Sequence, residues 1–369
     1  MFVKKILFTI ILIFTILVSS VSADNTKILK SQLGLVNNIQ YIDSKSDNSH
    51  TTQIVDVKLL TGDFKGEAIQ LENILTGNPY YDINLKKGIK VILHAEDNGD
   101  GIEYYIEDIK RAGILGWLSI LFCCLLIFVG KKKGIFSLVS IVFTILLISH
   151  VLRPLILLGL NPVLSTIIIC ILSTTVTMYL VGGINAKSTS ATIGATMSLI
   201  FAGLLSFITM LAANLSGFSG ENTMFLYSIH PELDFVALTI SMMVLATLGA
   251  VMDVSMSIAS TVNEIYLTDT TKSIKDLFIS GMNVGRDIIG TMANTLILVY
   301  LGGSLTLVLL SENIDLQKFI NLNQVVTEVA SALIGSIAIV ICVPFTAFVA
   351  SLLIYNYAKK NEQEKIPWS

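Results

Sequence analysis

The chain contains uncharged apolar runs long enough to cross a bilayer, and this feature restricts it more than any other. A crossing helix needs about 20 such residues, within a range of roughly 17–25. The runs are Ile6–Ala23, Ala112–Gly130, Gly134–Leu152, Pro162–Gly183, Ala191–Ala213, Phe235–Met252, Ile288–Leu310 and Val329–Tyr357. Each is too long for a strand, and in lipid only helices or a closed barrel satisfy every backbone group. Composition agrees. Of the 369 residues, 53% are hydrophobic and only 14% charged, and the mean hydropathy is +0.75. So little charge cannot cover a soluble core, and a net charge of −3 offers no electrostatic footprint for nucleic acid. The expected fold is an α-helical polytopic membrane protein with seven or eight transmembrane helices.

The number depends on the first run. Lys4 and Lys5 precede it and Val21-Ser22-Ala23 closes it, so residues 1–23 read as a cleaved signal peptide or an uncleaved signal anchor. Lysines then mark alternate short loops: Lys131 to Lys133, Lys187, Lys272 and Lys275 with Arg286, and Lys359, Lys360 and Lys365. The positive-inside rule puts these loops in the cytoplasm. It makes residues 24–111 extracytoplasmic, 112–357 the helical bundle and 358–369 a cytoplasmic tail.

The exported segment has no cysteine; Cys123, Cys124, Cys170 and Cys342 all sit in apolar runs. To about Ser49 it is polar and weakly patterned. Beyond that, 53–59, 68–75, 88–93 and 102–109 read as short strands, and Gly62-Asp63-Phe64-Lys65-Gly66 as a turn. The expectation is a small extracytoplasmic β-rich domain, a barrel or sandwich of four to six strands. The acidic run Glu96-Asp97-Asn98-Gly99-Asp100-Gly101 nearly matches a calcium loop, but its flanks are strand-like, and a hairpin turn is the better reading.

Ionisable groups interrupt the later runs. Helical spacing puts Asp253, Ser257, Ser260 and Glu264 on one face, and Asn283, Asp287, Gly290 and Asn294 on another with Arg286 beside it. A carboxylate at a helix centre costs about 2.5–3.5 kcal/mol on insertion scales, so Asp253 is expected to face the bundle interior. Two readings stand: an ion pair that fixes helix register, or a polar path that binds an ion or solute. Gly281 and Gly285 form a small-xxx-small pair, and Ser190, Gly194, Ser198, Ala202 and Ser206 a close-packing stripe. Pro344 is expected to kink the last span. There is no phosphate loop, no metal-ligand spacing among the four histidines and no Cys-x-x-Cys. The expectation is therefore no enzyme, no cofactor and no metal.

The two polar stretches, Gly249 to Ser260 with Glu264 and Ser280 to Leu296, resemble the signature of the YibE/F family of bacterial multi-pass membrane proteins. The similarity extends through Gly159-Leu160-Asn161-Pro162, Val343-Pro344, Gly62 to Gly66 and Leu85 to Gly88, and covers most of 50–357. It implies a bacterial cell membrane and an exported β-rich portion, and it supplies no activity and no catalytic residue. The functional expectation is a secondary transporter or permease acting through Asp253, Ser257, Glu264, Asn283, Arg286, Asp287 and Asn294. The rival is a scaffold or sensor whose exported domain binds an envelope partner. The implied partners are the bilayer, a small ion or solute, and an envelope protein or a homo-oligomer.

Overall fold

A computed structural model of the chain describes residues 31–43, 51–97 and 102–364. The first apolar run and the end of the tail lie outside the described residues. The chain forms two units, divided near residue 125.

The first unit is a five-stranded sheet: β1 (Gln32–Asp43), β2 (Thr51–Leu59), β3 (Ala68–Leu75), β4 (Lys90–Asp97) and β5 (Ile102–Ile109). The order is β3-β2-β1-β4-β5, and every pair is antiparallel. β3 and β5 end the order and approach each other, which makes the sheet barrel-like. Period-two alternation sends Val55, Val57 and Leu59 inward to meet Val36, Leu85, Val91 and Leu93. The central strand, β1, lies where the sequence was expected to be weakly patterned. A bulge between Val36 and Asn38 breaks its alternation. Gly34 sits where a Cβ would collide with Val57, so the strand needs glycine there.

The second unit is helical, and among the described residues six helices are long and apolar enough to cross a membrane, the first of them beginning in the first unit. They are α1 (Ala112–Leu157), α2 (Pro162–Gly182), α3 (Ala186–Ala212), α5 (Phe235–Thr268), α6 (Ile274–Gly303) and α9 (Asn323–Glu364). Shorter helices connect them: α4 (Glu221–Ile229), α7 (Leu305–Leu310) and α8 (Leu316–Phe319). The expectation is seven or eight; the first run lies outside the described residues, and α1 contains two of the others. It is broken at Lys131, with φ 51° and ψ −129°. The chain doubles back there: a Cβ on Gly134 would collide with the Leu126 carbonyl group. An unbroken helix separates residues eight apart by about 12 Å. A π-turn at Ile148–Leu152 then carries α1 past Pro154, which has no N–H to donate.

Side-chain caps set the starts of α2, α3, α5 and α6. Asn161 accepts from the Val163 and Leu164 N–H groups, Asn185 from Ser188 and Asp234 from Ala237. Ser273 and Asp276 form a capping box that starts α6. The core lies where α3, α5 and α9 meet one another, flanked by α2 and α6. The α3 stripe is buried throughout, and Gly194 lets the α9 backbone approach so closely that a Cβ would lie 2.9 Å from the Thr346 Cα. Gly281 and Gly285 do the same for α6: their Cβ positions meet Val262, Ala347 and Val343. α9 runs through Pro344 without ending.

Candidate functional site

The polar residues fall on two helices whose apolar faces are already committed. On α5, Val251, Val254, Ser255, Ile258 and Val262 point into the core. Asp253, Ser257 and Glu264 lie on the opposite, exposed face, with Gly249 above them. This corrects the expectation that Asp253 faces the bundle interior. The cost of a carboxylate disfavours bare lipid but does not say whether the bundle interior, water, a solute or another chain takes its place.

On α6, Gly281 and Gly285 sit against α5 and α9, and the far side carries Asn283, Arg286, Asp287, Gly290 and Asn294, all exposed. Arg286 Nη1 donates to Asn283 Oδ1 at 2.9 Å. Among the described residues no ion pair joins Arg286 to Asp253, Glu264 or Asp287. The register-fixing ion pair is thus not formed within one chain. Asp253 and Arg286 stay on separate faces of their own helices.

Both residues are deep. Asp253 lies 18 residues after Phe235 on a 34-residue helix, about 27 Å along about 50 Å. Arg286 lies 12 residues after Ile274 on a 30-residue helix, about 18 Å along about 44 Å. A hydrocarbon slab of about 30 Å, placed anywhere along either untilted helix, contains both.

A second polar feature was not foreseen. An apolar cavity of about 330 Å³ lies among α6, α7, α8 and α9, lined by Leu301, Val308, Phe319 and Val329 and reached by Tyr300 and Glu328. The Tyr300 hydroxyl is buried without a hydrogen-bond partner. A tyrosine and a glutamate near helix ends read as interfacial anchors in sequence, which hides their convergence.

In the β unit, a cleft of about 500 Å³ opens between the β3 and β5 edges, lined by Gln70, Glu72, Glu103, Tyr104 and Tyr105 among others. The Tyr105 hydroxyl donates to Glu103 at 2.6 Å, which holds the phenol above its ordinary value. The Tyr104 hydroxyl is buried without a partner. β4 and β5 pair antiparallel with Asp97 opposite Ile102, as the hairpin reading requires; residues 98–101 lie outside the described set. Among the described residues no group of His, Cys, Asp and Glu could hold a metal ion.

Long apolar helices able to cross a membrane and an N-terminal barrel-like sheet are the features of a membrane protein. A model described as YibE/F-like protein matches residues 118–356, and one described as YibE/F family N-terminal domain matches 27–109. The chain belongs to the YibE/F family. No curated protein matches it, and no solved structure matches it.

Proposed function

We propose that this protein moves a small ion or solute across the bacterial cell membrane, using the outer face of α5. The carrying observation is that Asp253 and Arg286 are deep in their helices, on faces their own bundle leaves uncovered. Each such group is costly in hydrocarbon, so these faces meet water, a solute or protein. Asp253, with Ser257 and Glu264 below it, offers oxygen ligands to a cation or proton. No nucleotide site accompanies them in the sequence, so the reading is secondary or passive transport, with the β unit exported.

The test compares ion and metabolite content in a deletion strain, wild type, and Asp253→Asn at matched membrane expression. The expected result is one species that changes on deletion and is restored by wild type alone. Full restoration by Asp253→Asn, or no change at all, refutes the reading.

The cleft between β3 and β5 favours a second reading: a scaffold or sensor whose exported unit takes an extended segment across two open strand edges. Retention of an envelope protein by wild type, lost in Glu72→Lys with Glu103→Lys while Asp253→Asn is neutral, would favour it.

A further inference from the structure

Among the described residues Arg286 has no carboxylate partner, and the geometry of its helix indicates where one comes from. Asp287 is adjacent in sequence, but neighbouring helical residues point about 100° apart and do not face each other. Seen down α6, Gly290 lies between them, with Arg286 about 40° to one side and Asp287 about 60° to the other. Asn283 and Asn294 share the central strip with Gly290. The strip is exposed, and a Cβ on Gly290 would meet nothing within 4 Å. The face therefore has a small centre, amides along it, and one positive and one negative flank whose charges lie within about 1.5 Å of the same depth.

We infer that a second copy of this chain covers this face, with α6 packed on α6 about a two-fold axis along the membrane normal. Such an axis makes the helices parallel and keeps every residue at its own depth. It also sets the left flank of one helix against the right flank of the other, as in a parallel coiled coil. Arg286 of each copy then meets Asp287 of the other, giving two reciprocal ion pairs from one face. A different partner would have to supply both charges in mirrored order; a second copy supplies them by symmetry. Gly290 at the crossing permits close backbone approach, and Asn283 and Asn294 can bond across it. The inference does not depend on transport: it concerns α6, and the α5 face around Asp253 is outside the contact.

The test is disulfide crosslinking of Gly290→Cys in native membranes, in a chain carrying Cys123→Ser and Cys124→Ser. The expected result is a crosslinked dimer, with no dimer from Leu204→Cys on the exposed side of α3. Arg286→Asp leaves both flanks acidic and Asp287→Arg leaves both basic, so each alone lowers the crosslink about tenfold, the loss of roughly 1.4 kcal/mol. Co-expressed with different tags, the two charge variants recover the crosslink as the mixed dimer, which also shows that each chain folds. Arg286→Lys keeps the dimer. A Gly290→Cys chain that stays monomeric, an equal crosslink from Leu204→Cys, or charge variants that crosslink like wild type would overturn the inference. A dimer formed by a protein whose Asp253→Asn form restores every solute would sink the transport reading alone.

Discussion

Gly285 and Gly194 are where single side chains decide how closely helices pack. A Cβ on Gly285 would collide with Val343, and one on Gly194 with Thr346. Overpacking such a site costs typically 1–3 kcal/mol. Gly285→Leu should lower the thermal midpoint of the detergent-solubilised protein, whereas Gly290→Ala, with open space around it, should leave it near wild type. A second residue-scale prediction concerns charge. The Arg111 guanidinium at 2.6 Å, together with the Ile109 N–H, holds the Asp108 carboxyl below its usual range. A depressed carboxyl stabilises the fold above its unfolded value and loses that contribution as pH falls through the folded one. Arg111→Ala should therefore lower the unfolding midpoint at neutral pH, with the difference closing in acid. The small-residue spacings on α3 and α6 were legible in sequence because close packing needs little beyond that spacing. The direction Asp253 faces was not. The cost of its carboxylate does not say what takes the place of lipid, and only the partners of Val251, Val254 and Ile258 show which face is inward.

At the scale of elements, the apolar runs located the helices but not their ends. α5 continues 16 residues past Met252 to Thr268, and α6 begins at Ile274, not Ile288. Runs defined by absence of charge stop at the first charge; the helices stop at their caps, and Asp253, Glu264, Arg286 and Asp287 lie inside. Strand alternation gave β2, β3 and β5 nearly to the residue and failed for β1, where the bulge after Val36 interrupts the period. The connection between the runs that end at Ala213 and start at Phe235 contains α4, which covers too few turns for a periodic signal. It is tied to the start of α9 by Asn323, whose Nδ2 donates to Ser216 Oγ and to the Phe218 carbonyl, both at 2.7 Å. Phe218, Tyr227 and Phe235 then stack edge-on or face-on beside it. Asn323→Ala removes bonds worth about 1 kcal/mol each. Amide exchange in 216–230 should speed up severalfold, with that in α3 and α5 unchanged.

For the whole molecule, the arrangement separates stability from function. Small residues and branched apolar side chains hold α3, α5 and α9 together, and the ionisable groups are kept off that contact on the outer faces of α5 and α6. The claim that the α5 face meets water and solute is tested most directly by thiol accessibility along α5. Gly249 lies mid-helix on the Asp253 face, with nothing within 4 Å of a Cβ there. Single cysteines at Gly249→Cys and Ser257→Cys, in a Cys123→Ser, Cys124→Ser chain, would be exposed in intact membranes to a charged, membrane-impermeant thiol reagent. Leu204→Cys on α3, 56% exposed and apolar, serves as the lipid-facing reference. The account predicts that both α5 cysteines react, that Leu204→Cys stays inert, and that Asp253→Asn changes the rate at Gly249→Cys. A Gly249→Cys chain as unreactive as Leu204→Cys would mean that the face is dry, and would contradict a path along it.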